Sequence, residues 1–213
     1  MSTITKTKSR EKSSSTFNIR SLTMIGMLSA IAVVLMLFDI PLGFLPSFYE
    51  IDLSEVPVLI GSFALGPVAG IMIELIKILL NLMINGSDTA GIGEVANFLI
   101  GCALVVPSSM IYFKKKTRKA AVSGLAIGTL FLIVTGSLLN AYLLLPTYAV
   151  AFHMPIDGLI AMGTAVNPAI NSMTTFILLA VAPFNLIKGI VVSVITILLY
   201  KKLSPIIKGN HTA

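Results

Sequence analysis

The chain has 213 residues, 56% of them hydrophobic and only 11% charged, with a mean hydropathy of +0.97 and a formal net charge of +6. Soluble globular domains carry about 25% charged residues, so the composition excludes that class and marks an integral membrane protein. The positive charge then belongs to a face near anionic lipid, worth roughly 1 kcal/mol per Lys or Arg, and no aromatic-rich basic element points to nucleic acid.

Thirteen of the fifteen basic side chains fall in three blocks outside the apolar runs. Lys6, Lys8, Arg10, Lys12 and Arg20 precede the first run; Lys114, Lys115, Lys116, Arg118 and Lys119 sit mid-chain; Lys201, Lys202 and Lys208 close it. Positive charge flanking apolar spans marks the cytoplasmic side, and seven of the nine acids lie in the segments left for the outside. Residues 1–18 are polar, basic and Ser/Thr-rich, too poor in apolar groups to fold alone, and are expected to be a disordered cytoplasmic tail.

The first span is expected from Arg20 to Asp39, a retained helix and not a signal peptide, since no small-x-small cleavage pattern follows it. It leads to the external stretch IPLGFLPSFYEIDLSEVP. A shorter span, Ser54 to Leu65, returns inward; twelve residues cover only ~18 Å of a ~30 Å hydrocarbon core, so neighbours must bury it. Gly66-Pro67 makes a tight inner turn, and a third span rises from Val68 to Ile84, ending at the turn sequence NGSDTAG. The fourth runs from Glu94 to Phe113, down to the KKKTRK block, and the fifth from Ala120 to Pro146. Residues 147–182, interrupted by Pro155, Gly158, Gly163 and Pro168, are expected to be a long, partly helical outer segment, with the last helix starting near Pro183. The fold class is therefore an all-α membrane protein, with a six-helix membrane domain over 19–205, a second tail at 206–213 and both termini cytoplasmic.

Charged and amide side chains inside such spans are costly and mark function by default. Glu74, Lys77 and Asn81 share one helical face, with the Glu74–Lys77 pair open to a self-neutralising reading; Asn185 and Lys188 stand one turn apart in the last span, with no acid near in sequence. Asn97 and Asn140 occupy the outer parts of the fourth and fifth spans. Singly each amide reads as interhelical glue. Together, from four spans at similar depth, they describe a small-molecule pocket opening toward the acidic loop. Asparagine offers donor and acceptor side by side, matching a heterocycle's imide edge, and lysine adds donors. No HExxH, GxSxG or GxxxxGK[ST] is present, and His153 and His211 lie outside the spans. The lone Cys102 excludes an intramolecular disulfide and argues against a metal cluster.

The segments Tyr49–Gly101 and Pro183–Pro205, with their IDLSEVP, ALGPVAG and FNLIKG stretches, resemble the riboflavin-specific S components of energy-coupling factor (ECF) vitamin transporters, the RibU (FmnP) family. The resemblance implies six helices, an outward vitamin pocket capped by the first external loop, riboflavin as transported ligand with no cofactor, and a bacterial plasma-membrane location. It also implies a transmembrane coupling subunit and two cytoplasmic ATPases as partners, with the S component rotating bodily to carry its ligand inward. Asn185 and Lys188 match the family's FNxxKG stretch, Asn140 its fifth-helix asparagine, and Tyr49 and Asp52 its capping loop. The family's first helix presents alanines four apart; here Gly26 and Ala30 meet that spacing, with Val34 where a third small residue would stand. The alternatives are FMN or another vitamin as ligand, a scaffold that binds none, or an intramembrane enzyme using Glu74 or the asparagines.

Overall fold

The computed structural model describes residues 18–208 apart from Phe44, Ser47, Phe48, Asp88 and Phe152, and describes no side chain beyond residue 202. The expected tails, but for Asn18 and the last helical turn, lie outside the described residues. Helix α1 (Ile19–Met36) starts where the Asn18 side chain accepts from the Ser21 N–H, satisfying one of the orphan donors of a helix N-terminus. After it, Ile40–Pro41 (β1) pairs antiparallel with Glu50–Ile51 (β2), closing the ends of the cap that follows α1.

The expected short second span is α2 (Glu55–Leu65), and nine of its eleven residues are buried. That burial answers its shortness: neighbours, not lipid, surround it. Val58, Leu59 and Phe63 of α2 meet Ile73, Leu104, Leu125 and Val192 in one apolar core. Gly66, at φ +111°, stops α2, and Pro67 opens α3 (Pro67–Asn85) at its first turn. Only glycine enters that left-handed region without a Cβ penalty, and proline at N1 forfeits no hydrogen bond.

Helix α4 (Ile92–Lys115) packs along α5 (Arg118–Ala151), which opens on a Thr117 cap. Ser108 Oγ donates to the carbonyls of Leu104 and Gly124, bridging the pair at 2.6 and 3.1 Å. At the same end of the molecule as these basic helix termini, Phe63 stacks on Tyr112 and the Tyr200 hydroxyl donates to the Phe63 carbonyl. Tyr112 is thus buried against protein.

The sequence expectation fails most clearly beyond Pro146. Helix α5 does not stop there but continues to Ala151 through a π-helical turn at Asn140–Leu144. After the short α6 (Ile156–Val166), the last helix, α7, begins at Met173, ten residues ahead of Pro183, and runs through a second π-helical turn at Ile177–Val181 to Lys208. A Ser172–Thr175 capping box starts it, supplying donors and acceptors to the exposed first turn. In both helices the π-turn ends two residues before a proline: Leu145 N–H donates to Asn140 O ahead of Pro146, and Ala182 N–H to Ile177 O ahead of Pro183. The hydrogen-bond ladder has already slipped by one residue where a ring without an N–H follows, so neither proline ends its helix.

Among the described residues five helices are long and apolar enough to cross a membrane: α1, α3, α4, α5 and α7. The large exposed side chains on them, such as Met27, Leu79, Phe131 and Leu198, are apolar, as lipid-facing positions are.

The close α4–α5 approach yields a test. A Cβ at Gly124 would stand 2.6 Å from the Ser108 carbonyl oxygen, so Gly124→Ala is expected to lower stability by about 1–3 kcal/mol through overpacking. Val122→Ala, on the exposed side of the same helix, should stay within about 0.5 kcal/mol; thermal unfolding of the detergent-solubilised protein compares the two.

Candidate functional site

The cap, α3, α4, α5 and α7 enclose a cavity of about 470 Å³, within the ~300–1,000 Å³ of small-molecule pockets. Seven of the eight side chains expected in a pocket line it: Tyr49, Asp52, Asn81, Asn97, Asn140, Asn185 and Lys188. The deepest are Asn140, Asn185, Asp52 and Lys188, all buried; Asn81 and Asn97 are half-buried nearer the mouth.

Both π-turns shape the cavity wall. Asn140 opens the α5 turn, and its amide donates to Gly136 O at 2.8 Å while its oxygen accepts from the Tyr49 hydroxyl at 2.7 Å. Asn185 donates to Val181 O, the last residue of the α7 turn, at 2.9 Å. Gly136 makes the crossing possible, since a Cβ there would come within 2.7 Å of the Asn185 amide nitrogen. Each asparagine spends one donor on its own helix and keeps further amide hydrogen-bonding capacity at the cavity wall. The Tyr49 ring is held between Phe176 and Phe184, at centroid distances of 6.2 and 5.0 Å. Burial raises its phenol above the ordinary value, so it stays a donor.

Lys188, for which no acid is visible nearby in sequence, finds one 136 residues away. Its Nζ donates to Asp52 Oδ2 at 3.0 Å, and the other oxygen of Asp52 accepts from the Ser54 N–H at 2.7 Å. Burial pushes the Asp52 carboxyl up, but Lys188, then Lys77, then the Ser54 bond outweigh it and hold it well below the usual carboxylate range. At the mouth, Asp39 is raised by burial and by the neighbouring Asp52 and Glu50 carboxylates. The cavity wall thus carries four carboxylates, Asp39, Glu50, Asp52 and Glu94, against one ammonium.

Lys77 must be corrected. It does not reach the cavity but is fully buried behind it, 2.8 Å from Glu55, 2.7 Å from Glu74 and 3.2 Å from Ser54 Oγ. The Glu74–Lys77 pair read from i, i+3 spacing exists, but Glu55 of α2 completes it from outside the helix, and two carboxylates hold the lysine away from the pocket. Unanticipated wall residues include Asn85, Thr89 and Glu94 from the α3–α4 turn and Phe184 from α7. Phe184 and Asn185 are neighbours in FNLIKG, so the signal was present; Asn85 shares Asn81's helix face at i+4 and bonds to it at 3.0 Å.

On α1, Gly26 and Ala30 are both exposed, and a Cβ at Gly26 would meet nothing within 4 Å. They do not pack this fold against itself.

Residues 20–200 match the family model described as the substrate-specific component of ECF transporters. The chain is 38% identical over 189 residues to the riboflavin transporter RibU of Staphylococcus aureus, covering 89% of this chain and 93% of that protein. It is 38% identical over 197 residues to the riboflavin transporter FmnP of Bacillus subtilis, covering 92% and 97%. Among solved structures it is similar to the S component of a bacterial ECF transporter, with a TM-score of 0.69 at 36% identity, over 89% of this chain and 98% of that one.

The buried ion pair predicts a non-additive response. Lys188→Ala leaves the Asp52 carboxylate buried and unpaired and should cost about 3–5 kcal/mol, whereas Lys188→Met with Asp52→Asn should recover most of it. Because Asp52 is depressed in the folded protein, the pair's contribution is fully present above the unfolded reference of ~3.9 and lost as pH falls through the lower folded value. Thermal unfolding of the single and double variants in detergent measures the coupling.

Proposed function

Since the chain belongs to the family of substrate-specific components of ECF transporters, matching it over residues 20–200, we propose that it is the riboflavin-binding membrane subunit of an ATP-driven vitamin importer. The observation that carries the reading is one cavity whose buried end is built from Asn140, Asn185 and a Lys188–Asp52 pair, in a chain whose relatives are named riboflavin transporters. The isoalloxazine ring presents an imide edge, N–H between two carbonyls, which asks for an amide or ammonium donor beside an acceptor. Leu144, Ile100 and the aromatic rings of Tyr148 and Phe184 supply apolar wall for the ring system. The ribityl chain bears hydroxyl donors, and Asp39, Glu50 and Glu94 near the mouth are acceptors for them.

Charge favours the free vitamin over its phosphate ester. A phosphate would enter beside four carboxylates, and the one ammonium in the wall is already committed to Asp52. Like charges brought together in a partly desolvated cleft repel strongly.

The topology in this reading has six spans, α2 being the short second one, with the three basic blocks and both termini cytoplasmic and the cavity opening outward in the bacterial plasma membrane. Uptake needs an engine, which in this reading a transmembrane coupling subunit and two cytoplasmic ATPases supply. The exposed Gly26-xxx-Ala30 step on α1 suits close approach of a partner helix, since small residues let backbones come together.

Two tests follow from this arrangement. Purified protein titrated with flavin should quench its fluorescence, with FMN at least about tenfold weaker than riboflavin (~1.4 kcal/mol) and Asn185→Ala weakening riboflavin by about 1–3 kcal/mol; equal affinity for both flavins would defeat the charge argument. Gly26→Leu with Ala30→Leu should leave binding by the isolated subunit intact while abolishing uptake and co-purification with the coupling module. Parallel loss of binding and uptake would place these residues in the fold, and normal uptake would move the coupling surface elsewhere.

A further inference from the structure

The Lys188–Asp52 pair of the cavity wall continues behind the cavity into a polar cluster, Glu55, Glu74 and Lys77, that does not line it. Among the described residues only five Asp, Glu, Lys or Arg side chains are buried: Asp52, Glu55, Glu74, Lys77 and Lys188. They form one chain of contacts, Lys188 to Asp52, Asp52 to the Ser54 N–H, Ser54 Oγ to Lys77, and Lys77 to both Glu55 and Glu74. Three carboxyl groups face two ammonium groups. If all five were ionised, the interior would hold one uncompensated negative charge away from water, the arrangement a low-dielectric site tolerates least.

We propose that this cluster binds one proton, held on the Glu74 carboxyl and sealed from both the cavity and the lipid.

The partners decide which carboxyl carries it. Asp52 accepts from Lys188 and from a backbone N–H. Glu55 accepts a well-aligned hydrogen bond from Lys77 at 2.8 Å and stands in the first turn of α2, where the helix dipole favours negative charge. Glu74 has neither advantage. It lies in the middle of α3 and is fully buried; its one ammonium contact, Lys77, is shared with Glu55, and its Oε2 has no hydrogen-bond donor among the described residues. Glu55 Oε2 is a second buried oxygen without a donor, so a proton in this space has acceptors ready. Gly101 of α4 closes the site: a Cβ there would overlap the Glu74 carboxyl and come within 3.0 Å of Glu55. The groups facing Glu74 are Lys77 on its own helix, Glu55 of α2 and Cys102 of α4, with Lys188 of α7 and Asp52 of the cap farther along the chain. None of them supplies the missing positive charge.

A proton makes the buried cluster neutral as a whole, with Lys77 bridging the two glutamates and Lys188 free to share Asp52 with the cavity. This holds whatever ligand the cavity takes.

Infrared spectroscopy of the full chain in liposomes at neutral pH tests it. The expected result is a carboxylic-acid carbonyl band that shifts when the protein is made with carbon-13 glutamate and disappears in Glu74→Gln. Glu55→Gln should also abolish the band, because two carboxyls then face two ammonium groups and Glu74 ionises. Should either variant fail to fold, the isotope shift in the wild-type protein stands alone as the readout. Absence of any such band, a band insensitive to labelled glutamate, or a band present only when sodium and potassium are removed would overturn the proposal, the last by assigning the balancing charge to a metal cation.

Discussion

The ion pair between Lys188 and Asp52 joins two parts of this molecule that stand 136 residues apart in sequence. Asp52 belongs to the cap that follows α1, and Lys188 to the middle of α7. The cap's other ties are the Tyr49–Asn140 hydrogen bond, the packing of Leu45 and Ile51 in an apolar cluster with Leu145, Leu159 and Phe176, and a two-residue strand pair, which in isolation is too short to be stable in water. With the ion pair, the loop becomes a wall of the cavity. The pair is costly to desolvate, and a buried pair is weak evidence for net stability. Its value is positional: it fixes which face of α7 looks at the cap, and therefore where Asn185, one turn earlier, points.

The same logic runs through the π-turns. A long helix through a membrane satisfies every backbone group within itself and so offers a ligand nothing from its main chain. At Asn140–Leu144 and Ile177–Val181 the ladder slips to i+5, and at both places an asparagine amide reaches back to the helix carbonyls, Asn140 to Gly136 and Asn185 to Val181. In both helices the irregular turn adjoins a cavity-lining asparagine, Asn140 at the start of one and Asn185 four residues past Val181 of the other. Pro146 and Pro183 are thus tolerated in the helices and also mark the sites where a polar group is well placed.

Much of this was legible in the sequence, and the reason is the bilayer. Five of the six expected spans follow from the run length of apolar residues, and even the short α2 was foreseeable from Gly66-Pro67 with the acidic loop before it. The depth of Asn97, Asn140 and Asn185 placed them on one cavity because spans of similar length put similar positions at similar heights. What failed was local. Proline was read as a helix boundary at 146 and 183, although a slipped ladder lets a helix run through it. Glu74 was legible as a partner of Lys77, but Glu55 and the Asp52 partner of Lys188 were not, since they lie on a neighbouring helix and on a loop, and periodicity reports only the faces within one helix.

Charge in this protein is sorted by depth as well as by side. Basic groups cluster at one end of the spans, carboxylates stand at the cavity mouth, amides line its buried end, and Lys77 with Glu55 and Glu74 lies behind them. Each layer meets a different dielectric, and its composition follows. Near water, carboxylates such as Glu50 keep their hydration. At the buried end, neutral amides give hydrogen bonding without a desolvated charge. In the dry interior a lysine is tolerable only with acids in contact on either side, which is why Lys77 sits where α2 and α3 both bring a glutamate to it. A polar ligand moving from mouth to buried end therefore exchanges water for carboxylate acceptors, then for amides, and meets an ammonium only where Asp52 already pairs it.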